Sequence, residues 1–209
     1  MYHPFIDDPE HLRLLAGQRY VVLRASDQVR AAYLAIQSLV KDSLAGLNVS
    51  YPAEPHVTLL GLGAGTGLDA VRGLVTEWAS DVAPLHLEIE RLSVFSPPFQ
   101  IVIVEIRKTQ DLFGAMSRLR ERAQQRGLAD LAKITPSDWV FHLSVAYCSS
   151  LNATSWDAAS RFADGLVVPV AQCVTSEVEI VAFDDEQESS GGIVPLTGAA
   201  SNVGDQEAV

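Results

Sequence analysis

Residues 54–63, EPHVTLLGLG, set a histidine and a threonine two apart at the head of a run that otherwise reads as a buried strand. Residues 140–149, VFHLSVAYCS, repeat the arrangement with His142 and Ser144. In a strand, residues i and i+2 leave the same face about 6.5–7 Å apart. His56 and Thr58 therefore point one way, while Val57 and Leu59 point the other, towards packing helices. His142 and Ser144 share a face too, with Phe141, Leu143 and Val145 opposite. Such strands ask for a fold that turns their polar faces towards each other and covers the apolar ones.

Working outward, the periodicities supply that fold. Residues 20–25, YVVLRA, read as a strand closed by the helix-start pair Ser26–Asp27. Val29, Ala32, Tyr33, Ile36, Leu39 and Val40 come next at helical spacing, and this helix ends near Gly46. After the turn-rich NVSYPAEP comes the strand 56–62, then a helix with Leu68, Val71, Leu74, Val75 and Trp78 on one face. Residues 85–95 alternate as a strand up to Pro97–Pro98, and 99–106 read as a buried strand. A helix with Leu112, Phe113, Met116 and Leu119 inward leads to the strand 140–148. A helix over 155–166, a strand over 174–183, a polar connection DDEQESSGG and a last strand IVPL complete the chain.

The string is β-α-β-α-β twice, with an H-x-[ST] strand second in each half. We expect an α+β, bilobal fold of two interlocked, pseudo-symmetric βαβαβ-like halves, with the two histidine strands side by side at a central cleft.

Composition narrows what such a cleft can serve. With 209 residues, 48% hydrophobic and 20% charged, the chain can bury a sizeable core. A net charge of −11 argues against long nucleic acid, whose binding needs basic surface to release counterions. A short anion held by a few local donors remains compatible. The N-terminus shows no signal peptide, and no apolar run reaches the roughly 18 residues of a membrane span. The two cysteines, Cys148 and Cys173, have no metal or redox spacing and read as buried free thiols, so a cytoplasmic protein is expected. GAGTG at 63–67 lacks the G-K-[ST] of a phosphate loop, and no G-x-S-x-G supports a serine hydrolase. No His, Cys, Asp or Glu cluster has ligand spacing, so neither a metal nor a cofactor is expected.

Four converging polar groups suit a phosphodiester. One imidazole takes a proton from the nucleophile, the other gives one to the leaving oxygen, and the hydroxyls hold the phosphoryl oxygens. With unperturbed histidines, the optimum is expected at about pH 6–7.5. The HVT and HLS strands, set in corresponding places of two halves, resemble the two signatures of the two-histidine (2H) phosphoesterase family. That family includes 2′-5′ RNA ligase-like proteins and 2′,3′-cyclic nucleotide phosphodiesterases. Each copy alone is common; the paired placement carries the specificity.

The resemblance covers residues 19–197, including FSPPFQIVIVEI between the motifs. It implies metal-independent phosphodiesterase chemistry on 2′,3′-cyclic or related 2′-linked phosphodiesters of small nucleotides or short RNA ends, with His56 and His142 catalytic and Thr58 and Ser144 on the phosphate. On this basis residues 1–18 form an N-terminal extension, 19–198 one domain of two lobes, and 199–209 a flexible tail. LLGL and VAYC stand after the motifs where many RNA-processing members have an arginine, which points away from ligation and tRNA-sized substrates. Tyr51, Phe99, Trp139 and Tyr147 are candidates to stack a base, and Arg24 and Lys133 to meet the phosphate. His3, His11 and His86 read as surface or core residues, and Arg118, Arg122 and Arg126 as a solvated helix face. A monomer is expected. The other reading is a nucleotide- or RNA-binding module on the same fold with little or no catalysis.

Overall fold

The computed structural model describes residues 9–184 and 187–199, with side chains from Leu12 onward. His3, the His11 side chain and residues 200–209 of the expected tail lie outside the described residues. The elements run α1 (Pro9–Leu15), β1 (Arg19–Arg24), α2 (Asp27–Ser43), β2 (His56–Leu62), α3 (Leu68–Ala79), β3 (Leu85–Phe95) and β4 (Ile101–Ile106), then α4 (Gln110–Gln125), β5 (His142–Tyr147), α5 (Ala153–Gly165), β6 (Gln172–Thr175), β7 (Glu177–Asp184) and β8 (Gln187–Pro195). Two antiparallel four-stranded sheets result, ordered β2-β1-β7-β8 and β5-β4-β3-β6. The fold is α+β and bilobal, with one histidine strand at the edge of each sheet.

The halves that succeed one another in sequence are not the sheets. β1 and β2 begin the first half, but its closing strand β3 pairs with β4 in the second sheet; β7, late in the second half, returns to pair with β1. The strand expected over 174–183 is therefore two strands. It breaks at Ser176, so that β6 joins β3 in one sheet and β7 joins β1 in the other. Helices cross over as well, α2 packing against β5 and α4 against β2.

The polar stretch expected as a connection also differs, because residues 187–190 are the first part of β8 and pair with β7. Its Gln-Glu-Ser-Ser sequence belongs to a solvated edge, where charge and hydroxyls deter further pairing. Gly191 is bulged opposite Ile180 and Val181, where a Cβ would meet Leu68 Cδ1 at 2.7 Å and Ile180 Cγ2 at 2.9 Å.

A large core lies between sheets and helices, and a smaller cluster around Val22, Val181 and Phe183 packs separately. Trp78 on α3 is fully buried and its Nε1 donates to the Ala115 carbonyl on α4 at 2.9 Å. Thr109 caps α4 by accepting from the Leu112 N–H, and Asn152 caps α5 through the Ser155 N–H, each satisfying an otherwise orphaned donor. Arg122 binds Asp81, and Arg126 binds Glu77 on α3, so part of the arginine row is tied down rather than merely solvated. On α2 the inward stripe is shifted, because Leu39 is 49% exposed while Gln37 is 4% exposed.

Gln37 is buried because β5 needs it. Ile103 of β4 faces Ser144 and Val102 faces Ala146, which leaves Val145 as an extra, bulged residue. The bulge interrupts the ladder, and α2 supplies donors: Tyr33 Oη donates to the Ser144 carbonyl at 2.8 Å, and Gln37 Nε2 reaches the Val145 carbonyl at 3.4 Å. Gln37 also donates to Tyr33 Oη at 2.8 Å and to the Pro52 carbonyl at 2.9 Å.

Replacing Tyr33 by Phe removes the phenol donor from the part-buried Ser144 carbonyl. We expect a loss of about 1–3 kcal/mol, the cost of one buried unsatisfied group, read as a lower urea midpoint at unchanged slope. An unchanged midpoint would show that the bulge does not depend on the phenol.

Candidate active site

β2 and β5 are brought together by exchanged segments. Ser50, ahead of β2, bridges to Tyr147 at the end of β5, with Tyr147 N–H donating to the Ser50 carbonyl at 2.8 Å. Reciprocally, Leu131, ahead of β5, donates its N–H to the Gly61 carbonyl near the end of β2 at 2.8 Å. A bulge also occurs in each strand at the matching place. In β2 Val21 faces Leu60 and Val22 faces Thr58, so Leu59 is the extra residue, as Val145 is in β5.

The bulges decide which residue comes next after the motif on the cleft face. Strict alternation from His142 would aim Ala146 inward; instead Ala146 is buried and Tyr147 lines the cleft. The equivalent position in β2 is Gly61, over which the Tyr20 ring lies, so that a Cβ there would sit 3.1 Å from Tyr20 Cε1.

His56, Thr58, His142, Ser144 and Tyr147 together line one cavity of about 210 Å³. Tyr20, Val22, Ile101, Val181 and Phe183 form its apolar walls, and Leu15 of α1 reaches its rim. Thus part of the expected N-terminal extension is a helix, whose Leu12 and Leu15 pack beside Val22, Val181 and Phe183. No lysine or arginine lines the cavity among the described residues.

Each imidazole is oriented by the backbone two residues earlier. His142 Nδ1 lies 2.9 Å from the Val140 carbonyl and His56 Nδ1 lies 3.4 Å from the Glu54 carbonyl. A carbonyl can only accept, so Nδ1 carries the proton and Nε2 is the basic nitrogen in both rings. Phe95 stands edge-on to His142, with ring centroids 4.8 Å apart.

Burial disfavours the charged imidazole and pushes His56 down to about 4, helped by the neighbouring charges of His142 and Arg24 and opposed by the Glu54 carbonyl. His142 is lowered too, by burial, against the pull of the Val140 carbonyl and Glu105. Burial also pushes the Tyr147 phenol up, against the effect of its hydrogen bond with Ser144, and pushes Tyr20 up to about 12. At neutral pH the cleft therefore presents polar but uncharged groups.

The remaining candidates divide. Phe99, Trp139 and Lys133 meet in an apolar groove of about 550 Å³ beside the cleft, which shares His142 and Ile101 with it. Tyr51 lies outside both, under Lys41 at 5.0 Å from its ring centroid. Arg24 stands across the β1–β2 pair from His56, but its Nε donates to the buried Glu179. His86 is exposed on β3, away from the cleft, and Cys148 and Cys173 are buried free thiols. Tyr20, Phe95 and Glu105 join the site without having been expected there. Alternation in RYVVLR carries the signal for Tyr20, whereas nothing local marks Phe95 or Glu105. Among the described residues no group of three or more His, Cys, Asp or Glu is placed to hold a metal ion, and no helix is long and apolar enough to cross a membrane.

With this geometry in view, the matches to known proteins are specific. Residues 26–185 match the model of the 2′-5′ RNA ligase superfamily. The chain belongs to that superfamily, the two-histidine phosphoesterases. Three solved structures share its fold. TT0787 of Thermus thermophilus is 16% identical with a TM-score of 0.63, over 88% of this chain and 100% of that one. Escherichia coli LigT, crystallised with 3′-AMP, is 14% identical with a TM-score of 0.56, over 86% and 95%. Kluyveromyces marxianus Usb1 is 11% identical with a TM-score of 0.56, over 88% and 100%. LigT has also been crystallised with NADP+ and with phosphate. No curated protein matches the chain.

The depressed imidazoles set a sign for acid stability. Their unfolded value is near 6.5 and their folded values are lower, so the stabilisation is present above about pH 6.5. It is lost as the pH falls towards His56's folded value of about 4. Bound phosphate favours the charged rings, so ring NMR titrations should show both midpoints rising on adding inorganic phosphate. Midpoints at the ordinary value with no response would contradict the buried cleft.

Proposed function

We propose that this protein is a metal-independent phosphodiesterase acting on 2′,3′-cyclic phosphates or related 2′-linked phosphodiesters of small nucleotides or short RNA ends. The observation that carries the reading is the convergence of His56, Thr58, His142 and Ser144 in one cavity, each imidazole oriented by a backbone carbonyl at its Nδ1. On a cyclic phosphate, one neutral imidazole takes a proton from water as the water oxygen bonds to phosphorus. The bond from phosphorus to one ribose oxygen breaks, and the other imidazole, as imidazolium, gives that oxygen its proton. A phosphomonoester results. Thr58 and Ser144 donate to the phosphoryl oxygens as charge grows on them.

Because the cleft supplies no lysine or arginine among the described residues, the substrate's own anion supports the imidazolium that the reaction needs. The groove with Phe99, Trp139 and Lys133 adjoins His142, and its apolar walls suit a nucleobase stacked beside the phosphate. The nucleotide and phosphate complexes of LigT, on the same fold, support a ligand of this size. Net charge −11 keeps long RNA away.

Assayed on 2′,3′-cyclic nucleotides, His56→Ala and His142→Ala should each lose about 10²–10⁴-fold in kcat while remaining folded. Thr58→Ala and Ser144→Ala should lose on the order of 10–10³-fold. Near-full turnover by either histidine variant would remove the acid–base reading and leave a binding module. Chelator should not change the rate; loss with chelator and rescue by a divalent ion would indicate metal-bound hydroxide instead.

The pH profile separates free and bound protein. kcat/KM reports the free cleft, where both rings are depressed, so its bell should peak below pH 6.5 rather than over the range an unperturbed pair gives. kcat reports the complex and should peak at higher pH. Coincident profiles would mean that the substrate does not raise the imidazoles.

A further inference from the structure

The two halves place a charged residue at the same position beside each histidine, and the charges are opposite. Arg24 faces His56 in the β1–β2 pair, and Glu105 faces His142 in the β4–β5 pair. Residues directly opposite on antiparallel strands share a face, with Cβ atoms about 4.5–5.5 Å apart. Each charge is bound from the next strand outward. Arg24 Nε donates to Glu179 Oε2 on β7, while Glu105 accepts from Arg91 Nε at 2.9 Å and Nη2 at 3.2 Å on β3. One ion pair has been built twice with its ends exchanged.

We propose that this exchanged polarity divides the work of the two imidazoles, Arg24 keeping His56 as the proton acceptor and Glu105 keeping His142 as the proton donor. The assignment rests on the phosphodiesterase reading above. Arg24 and Glu105 act through the histidines and are positioning residues; they do not touch substrate.

The electrostatics have the required signs. The charge of Arg24 lowers His56 and that of Glu105 raises His142. In each pair the nearer charge acts over the shorter distance and dominates the ring. Arg91 is also 69% exposed, so water screens it from His142 more than it screens Glu105, which is 14% exposed. The other titratable groups around the rings do not equalise them. Tyr20 on β1 and Tyr147 on β5 are buried phenols pushed up, neutral where imidazoles titrate, and Glu188 on β8 acts on Tyr147. Glu54, ahead of β2, meets His56 through its carbonyl and commits its carboxylate to Arg30. Glu179 is held by Arg24.

In the step assigned, the water proton goes to His56 Nε2 as the oxygen bonds to phosphorus. The bond to the ribose oxygen breaks, and that oxygen takes its proton from His142 Nε2.

Leaving groups test the assignment directly. Nitrophenolate departs without a proton, so His142→Ala should retain activity on bis(4-nitrophenyl) phosphate to within about tenfold of wild type while losing about 10²–10⁴-fold on 2′,3′-cyclic AMP. His56→Ala should lose both. The reverse pattern, or equal losses in the two variants, overturns the division of roles.

A second measurement needs no turnover and so separates failure of this inference from failure of the proposed activity. In ring NMR titrations Glu105→Gln should lower the His142 midpoint, and Arg24→Gln should raise that of His56. Where Arg24→Gln leaves Glu179 buried and the protein unfolded, Arg24→Gln/Glu179→Gln replaces it with the same expected direction. Above its midpoint, His142 loses about tenfold in protonated fraction for every pH unit by which that midpoint falls. Glu105→Gln should therefore slow 2′,3′-cyclic AMP hydrolysis and spare the nitrophenyl ester. Midpoints that stay put, or move in the same direction in both variants, overturn the proposal.

Discussion

The structure turns on the donors that α2 brings to the bulge of β5. A bulge in a buried strand exposes carbonyls that water cannot reach, and leaving one unpaired costs about 1–3 kcal/mol. Tyr33 and Gln37 meet the carbonyls of Ser144 and Val145, and Gln37 also ties Tyr33 to the loop ahead of β2. One helix from the first half thus sets the second half's histidine strand, and ties that setting to the approach of the first histidine strand. Without the bulge, Tyr147 would leave the cleft and Ala146 would enter it.

The same enclosure governs the chemistry. Walls of Tyr20, Val22, Ile101, Val181 and Phe183 deprive the imidazoles of water, which makes them neutral and makes any charge beside them effective. An anion entering such a cavity would favour the protonated imidazoles. In such a site, proton affinity and phosphate affinity are linked quantities, and each rises with the other.

Much of this was legible in the chain. The period-two strands around His56 and His142 carried the polar and apolar faces, and the repeated order of elements carried a two-lobed fold with the histidine strands as neighbours, although the lobes are not the halves of the sequence. What could not be read is where the chain changes sheet or slips register. Residues 174–183 look like one apolar strand because β-propensity has no sign for a switch at Ser176. Residues 187–190 look like a loop because an edge strand can be as polar as one. Leu39 and Gln37 exchange places on α2 because a backbone carbonyl of a distant strand needs an amide. Phe99, Trp139 and Lys133 do gather beside His142, whereas Tyr51 and Arg24 do not line the cleft, and sequence separation alone does not distinguish these cases. The partners of the histidines, Arg24 and Glu105, depend on strand pairing, which no local pattern specifies.

The interlocking of the halves bears on how the molecule comes to exist on the ribosome. β1 precedes every other described strand, yet the neighbour that covers its second edge ends at Asp184. β2 can close only one side of it. Until β7 has emerged, β1 presents open amides and carbonyls of the kind that recruit foreign strands. The second sheet can be completed earlier, when β6 reaches β3 at Thr175. The sheet that holds β5 can thus close before the sheet that holds β1.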